Sequence, residues 1–214
     1  MENKIIFIDT MTTGMNPERC GIYRLGGIIT SGGRETERFE MRVQPFATAR
    51  ISEQSLWICG ETRRSLVTYP QEGEALEFLT GLLSRHIDIR NPRDKAYLAG
   101  FNASAMDTPF LREFFRRNGN MRFRDYFHVQ TIDLMTLTAF ALMNERTSMP
   151  DFHLETAANK IGVECPGTPG YDCVSNAKIC LDMYRALERR FGTGSAEDTT
   201  ALTEVTRNYT LTTD

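Results

Sequence analysis

Two stretches of the sequence carry carboxylates where a ligand can reach them. The first is Phe7-Ile8-Asp9-Thr10-Met11-Thr12-Thr13-Gly14, an acid that closes an apolar run and is followed by a tight polar turn. The second is Gly100-Phe101-Asn102-Ala103-Ser104-Ala105-Met106-Asp107-Thr108-Pro109-Phe110-Leu111, where an acid again follows a strand-like run and opens a helix-like one. The ends of buried strands are where ligands meet a rigid scaffold, so each acid is a candidate site residue. Each also fits a plainer role: Asp9 can cap its own turn through backbone amides, and Asp107 can be a helix N-cap, with Pro109 just inside the helix. A third stretch, residues 112–124, holds five Arg and three Phe against one Glu. It reads either as a helix with a solvated basic face and a buried Phe face, or as a phosphate-tracking rim beside a site.

The elements that position these residues follow from the period of the apolar pattern. Residues 4–8 (KIIFI) form a short continuous apolar run, which predicts a strand buried on both faces and ending at Asp9. Residues 20–30 and 36–43 predict two more strands joined by a hairpin turn at Ser31-Gly32-Gly33, an antiparallel meander. The period then changes: Ala75, Leu76, Phe78, Leu79, Leu82 and Leu83 recur at helical spacing over 72–85. A strand at 96–99, a helix at 107–117, a weak strand at 129–132, helices at 133–143 and 153–161 and a long last helix at 174–190 follow. Trp57 reads as a packing residue rather than a base-stacking platform, and His128 and His153 as surface or capping residues.

Composition narrows the class. The 214 residues are 41% hydrophobic and 25% charged, the balance of a soluble globular chain rather than a disordered, collagenous or membrane one. No apolar run is long enough to span a bilayer and no signal-peptide pattern opens the chain, so a cytoplasmic location is expected. The five cysteines are odd in number and lack paired CxxC spacing, which predicts reduced, mostly buried thiols. The net charge of −3 does not advertise a polyanion partner, yet 21 of the 25 basic residues are Arg, a bias that suits phosphate. From residue 192 onward the chain is rich in Thr and small polar residues, so one domain over 1–191 and a tail over 192–214, mobile or a short docking arm, are expected.

Taken together, the two acidic stretches make the chain resemble the DnaQ-like family of 3′-5′ exonucleases, the DEDDh group of the ribonuclease H-like fold. That family opens with Asp-x-Glu-Thr-Thr-Gly, which residues 9–14 match except for Met11 in place of Glu. Its second motif is matched by Asn102, Asp107, Phe110 and Leu111. Its third, a His five residues before an Asp on the last helix, is matched in frame by residues 171–177, with Tyr171 for the His and Asn176 for the Asp. The resemblance implies an α/β fold with a ribonuclease H-like mixed sheet, three antiparallel strands followed by alternating helices and strands. It also implies catalytic positions at Asp9, Met11, Asp107, Tyr171 and Asn176, with Thr12, Thr13, Gly14 and Asn102 binding the terminal nucleotide. On the rim reading of residues 112–124, Arg116 and Arg117 would be the phosphate contacts.

Members of this family use clustered carboxylates to hold two divalent ions, Mg²⁺ or Mn²⁺, which activate a water and stabilise the departing oxygen. Such hard ions want charged oxygen ligands. Here Asp9 and Asp107 remain, while Met11 offers a thioether, Asn176 a neutral amide and Tyr171 a phenol that is a poor base at neutral pH. Asp172 can substitute as a ligand if the local frame shifts. The expected function is therefore binding of a single-stranded DNA or RNA 3′ end with hydrolysis weak or absent. The alternatives are an active metal-dependent 3′-5′ exonuclease using Asp9, Asp107 and Asp172, and a non-catalytic protein- or nucleotide-binding module.

Overall fold

The computed structural model describes residues 2–165 and 172–192. Tyr171 and the expected tail beyond residue 192 lie outside the described residues. Five strands, β1 (Lys4–Thr12), β2 (Ile22–Ser31), β3 (Arg34–Arg42), β4 (Ala96–Gly100) and β5 (Phe127–Asp133), form one sheet in the order β3-β2-β1-β4-β5. The pairs β1 with β2 and β2 with β3 are antiparallel, while β4 runs parallel to both β1 and β5. This is the mixed α/β sheet that the order of elements predicts. Gly32 and Gly33 both adopt positive φ, 56° and 77°, which gives the β2–β3 turn the twist a tight hairpin needs.

Two apolar layers hold the sheet between helices. On one face Ile6 and Ile8 meet α3 (Glu72–Leu83) and α4 (Asp107–Arg117) through Leu76, Leu79, Phe110 and Phe114. On the other, Ile5 and Phe7 meet α6 (Leu134–Ala141), α7 (Leu154–Lys160) and α8 (Cys173–Gly192) through Leu134, Ala157, Cys180 and Met183. A central strand covered on both sides must be apolar at consecutive positions, which is why residues 5–8 show no alternation. All five cysteines are free thiols, three of them buried. Among the described residues no helix is long and apolar enough to cross a membrane.

The structure departs from the sequence pattern in three places. β1 does not stop at Asp9; it continues to Thr12, because Thr10 and Met11 pair with Leu25 and Arg24 across the strand, with a bulge between Met11 and Thr12. Residues 44–71, which show no clear period, fold into α1 (Glu53–Ile58) and α2 (Arg63–Leu66), too short to reveal a helical repeat. Trp57, at the end of α1, is 80% exposed and so is not a packing residue. α5 (Phe123–Tyr126) also lies outside the predicted helices.

Candidate functional site

The site assembles from three elements that period alone does not bring together. Asp9 shares the face of β1 that carries Phe7, and α8 lies directly above it. Gly26 permits that approach: it sits opposite Asp9 on β2, and a Cβ there would stand 2.7 Å from the Cβ of Cys173. Asn176 donates its Nδ2–H to Asp9 Oδ2 at 3.2 Å, and the Cys173 thiol, one turn earlier, bonds the same carboxylate. Asp107 is the first residue of α4, but it does not cap the helix. Its Oδ1 accepts the backbone N–H of Thr10 at 2.8 Å and the Thr10 hydroxyl at 2.7 Å, which ties α4 to β1.

Asp9, Asp107 and Asn176, 167 residues apart at the extremes, therefore share one locus. Burial pushes the Asp9 carboxyl up to about 6, with the Asp172 charge adding and the bonds from Asn176 and Cys173 opposing. Burial pushes Asp107 up to about 7, with the Asp9 charge as the next cause and the Thr10 bonds opposing. Two carboxylates close together in a poorly solvated place resist double ionisation. The Oδ1 of Asn176, itself 7% exposed, is buried without a hydrogen-bond partner.

The other positions named by the sequence divide. Met11 is 6% exposed and belongs to a small apolar cluster with Tyr23, Leu56, Leu66 and Cys173, which α1 and α2 roof over. Asp172 is engaged as a helix cap, its carboxylate accepting the N–H of Val174 at 3.0 Å and the Ser175 hydroxyl. Thr13 is fully buried; its hydroxyl donates to Arg50 O at 2.6 Å and accepts from Gly21 N–H. Thr12, whose hydroxyl donates to Gly14 O, and Gly14 itself stay half-exposed beside the site. Asn102 holds a left-handed backbone, φ 63°, with its side chain half-buried.

Arg116 is exposed and paired with Glu113, on the face of α4 away from Asp107. Arg117 is a half-buried clamp instead: it pairs with Glu72 at 3.0 Å, donates to Pro17 O at 2.9 Å and lies 4.3 Å over the Phe46 ring. His128 stacks on Tyr97 and His153 is exposed beside Asp151, so neither histidine faces the acids.

Nothing in the sequence pattern marks Asp133 or Glu40 as neighbours of this site. Asp133, at the end of β5, caps α6 through Met135 and Thr136 N–H and also accepts the N–H of Asn102 at 3.2 Å and of Ser104 at 2.9 Å. It thereby fixes the left-handed turn at Asn102. Glu40 on β3 shares a hydrogen bond with Asp172, and burial followed by that acid raises its carboxyl above the usual range.

The residues present do not fit a pair of divalent ions. An N–H donor, Asn176 Nδ2, points at the Asp9 oxygen that an ion would need, and the second acidic position of the strand is a thioether held in an apolar cluster. Arg24, the cross-strand partner of Met11, brings a guanidinium alongside and is balanced by Glu61 at 3.0 Å and Glu40 at 3.9 Å. Among the described residues no group of three or more His, Cys, Asp or Glu is arranged to hold a metal.

The sequence profile of the exonuclease family matches residues 6–164, which spans β1 to α7 and both acids. The chain belongs to the exonuclease family. The match of this exonuclease-family chain ends before Cys173 and Asn176 on α8. No curated protein sequence matches it. Its fold is similar to that of Escherichia coli exonuclease I in a zinc-bound complex with single-stranded DNA, at a TM-score of 0.69 and 18% identity over 89% of this chain. The E. coli enzyme with a dT13 oligonucleotide gives 0.68 at 18% identity, over 89% of this chain and 43% of that one. A moderately thermophilic exonuclease I from Methylocaldum szegediense gives 0.67 at 19% identity over 88% of this chain. The exonuclease-family chain spans only 41% of the first and last of these proteins, so the likeness concerns their exonuclease-like fold.

Proposed function

We propose that this exonuclease-family chain binds the end of a single-stranded DNA or RNA at the Asp9, Asp107 and Asn176 site and hydrolyses it slowly or not at all. The observation that carries this reading is the Asn176 amide on Asp9. Where the family resemblance implies a charged ligand for an ion, this chain places an uncharged hydrogen-bond donor that occupies the carboxylate oxygen. Asp9 and Asp107 are two carboxylates where the resemblance implies four, which leaves a pair of Mg²⁺ or Mn²⁺ ions short of the negative charge they demand.

Binding requires less. Thr12 and Gly14 can offer backbone groups to a terminal nucleotide, and Asn102 an amide side chain, without any metal. An attenuated hydrolase using Asp172 as a substitute ligand is disfavoured, because that carboxylate already caps α8.

The test is shortening of a labelled single-stranded oligonucleotide in Mn²⁺. The chain as it stands should leave the oligonucleotide intact, while a form carrying Met11→Glu, Tyr171→His and Asn176→Asp should shorten it. The general base alone contributes about 10² to 10⁴ in rate. Equal degradation by the two proteins contradicts the reading, and so does absence of oligonucleotide binding by the unaltered chain.

A further inference from the structure

Trp57 is the only tryptophan of the chain, and it stands 80% exposed with Ile58, 47% exposed, beside it. Its position is fixed. The Ser52 hydroxyl caps the start of α1, and the far end closes in a Schellman motif. There Glu61 N–H reaches Leu56 O at 2.9 Å and Gly60 N–H reaches Trp57 O at 3.1 Å, with Gly60 at φ 67°. Glu61 is in turn anchored on Arg24, the cross-strand partner of Met11. Residues 57–60 line an open groove of about 460 Å³.

The helix that presents Trp57 is bolted to the site. Ser52 N–H donates to Thr13 O at 2.8 Å, Thr13 donates to Arg50 O, and Leu56 packs against the cluster that contains Met11 and Cys173. Two cations lie where the chain enters α1. Arg50 N–H donates to Arg19 O at 2.7 Å, both residues are exposed, and neither is in an ion pair among the described residues. A rigid exposed aromatic on a helix whose start carries two guanidinium groups outside any ion pair among the described residues is a combination that suits single strands: bases stack on the ring while the cations meet phosphates.

We infer that Trp57 is a stacking platform for a base of the bound strand, with Arg19 and Arg50 meeting its phosphates, so that the strand enters the site over α1. This rests on the reading that the site binds single-stranded nucleic acid. It moves the phosphate contacts from Arg116 and Arg117 to a surface the sequence pattern left unmarked.

The sole tryptophan makes the test direct. A dye-labelled oligothymidylate of about 12 nucleotides is titrated in excess EDTA, following dye anisotropy and Trp57 emission together. Anisotropy should rise while Trp57 emission is quenched. Trp57→Ala should weaken binding about 5- to 100-fold, and Trp57→Phe should restore most of it. Arg19→Ala with Arg50→Ala should lower the slope of log affinity against log salt by about 1.4. Binding with unchanged emission and an unaffected Trp57→Ala variant overturns the platform and leaves the proposed function standing. No binding by any form at low salt overturns both.

Discussion

Asp94 and Asp107 flank the same strand, β4, and both are largely enclosed, yet they are held in opposite ways. Burial pushes Asp94 up, but the Lys4 ammonium and the Asp88 N–H outweigh it and hold its carboxyl below the usual range. Burial also pushes Asp107 up, and there the nearest charge is another acid, Asp9, so the carboxyl rises to about 7. Nearby, Glu37 follows the Asp94 pattern, with Arg85 and His86 holding its carboxyl down. Asp94 and Glu37 are matched to cations and support the fold, whereas Asp107 and Asp9 are raised by burial with another acid adding, the kind of perturbed buried pair that clusters at functional sites.

The largest effect expected from breaking a matched pair is at Arg117. Arg117→Met strands Glu72, which is 7% exposed, and should lower unfolding free energy by about 3 to 5 kcal/mol in urea titrations. Oligonucleotide affinity of the folded fraction should stay within about twofold. Near-native stability with lost binding would return Arg117 to the phosphate rim.

Lys4→Met should cost about 1 to 3 kcal/mol at pH 7, because Asp94 keeps only a backbone donor. Asp94 has a lowered folded-state value, so the pair's contribution is present above the ordinary carboxylate range and disappears as pH falls through it. The melting temperatures of Lys4→Met and the unaltered protein should converge in acid. A gap that persists there assigns the effect to packing of the lysine stem.

Asp107→Asn should act in the opposite direction. The folded-state values of Asp9 and Asp107 lie above that of the unfolded chain, so their stabilising contribution is complete below about pH 4 and is lost as pH rises through about 6 to 7. An amide keeps the oxygen that accepts from Thr10 and removes the ionisation. Asp107→Asn should therefore raise the melting temperature at pH 8 by roughly 2 to 6 °C, and by less at pH 5. A lower melting temperature at pH 8 would mean that the acid is matched by a cation after all.

How much of this was legible in sequence depends on the range of the contacts. The buried run 5–8, the Gly32-Gly33 turn and the bounds of α4 at Asp107 and Arg117 are local signals, and the structure has them. The extension of β1 past Asp9 depends on Arg24 and Leu25 across the strand, which no local period encodes. Arg117 looked like one of five similar arginines until Glu72, 45 residues away, and Pro17, 100 residues away, met it. Trp57 draws the ordinary expectation for a large apolar residue, and its place on α1, one residue past the buried Leu56, turns it outward. For the site, motif spacing pointed to Asn176, whereas its orphaned Oδ1 and its bond to Asp9 required the packing of α8 on Gly26.

Titration of the chain with Mn²⁺ in a calorimeter, beside the form carrying Met11→Glu, Tyr171→His and Asn176→Asp, measures the lost charge itself. The unaltered chain should show no saturable site tighter than about 1 mM, and the altered one saturable binding. Two tight sites in the unaltered chain, abolished by Asp9→Asn, would contradict this.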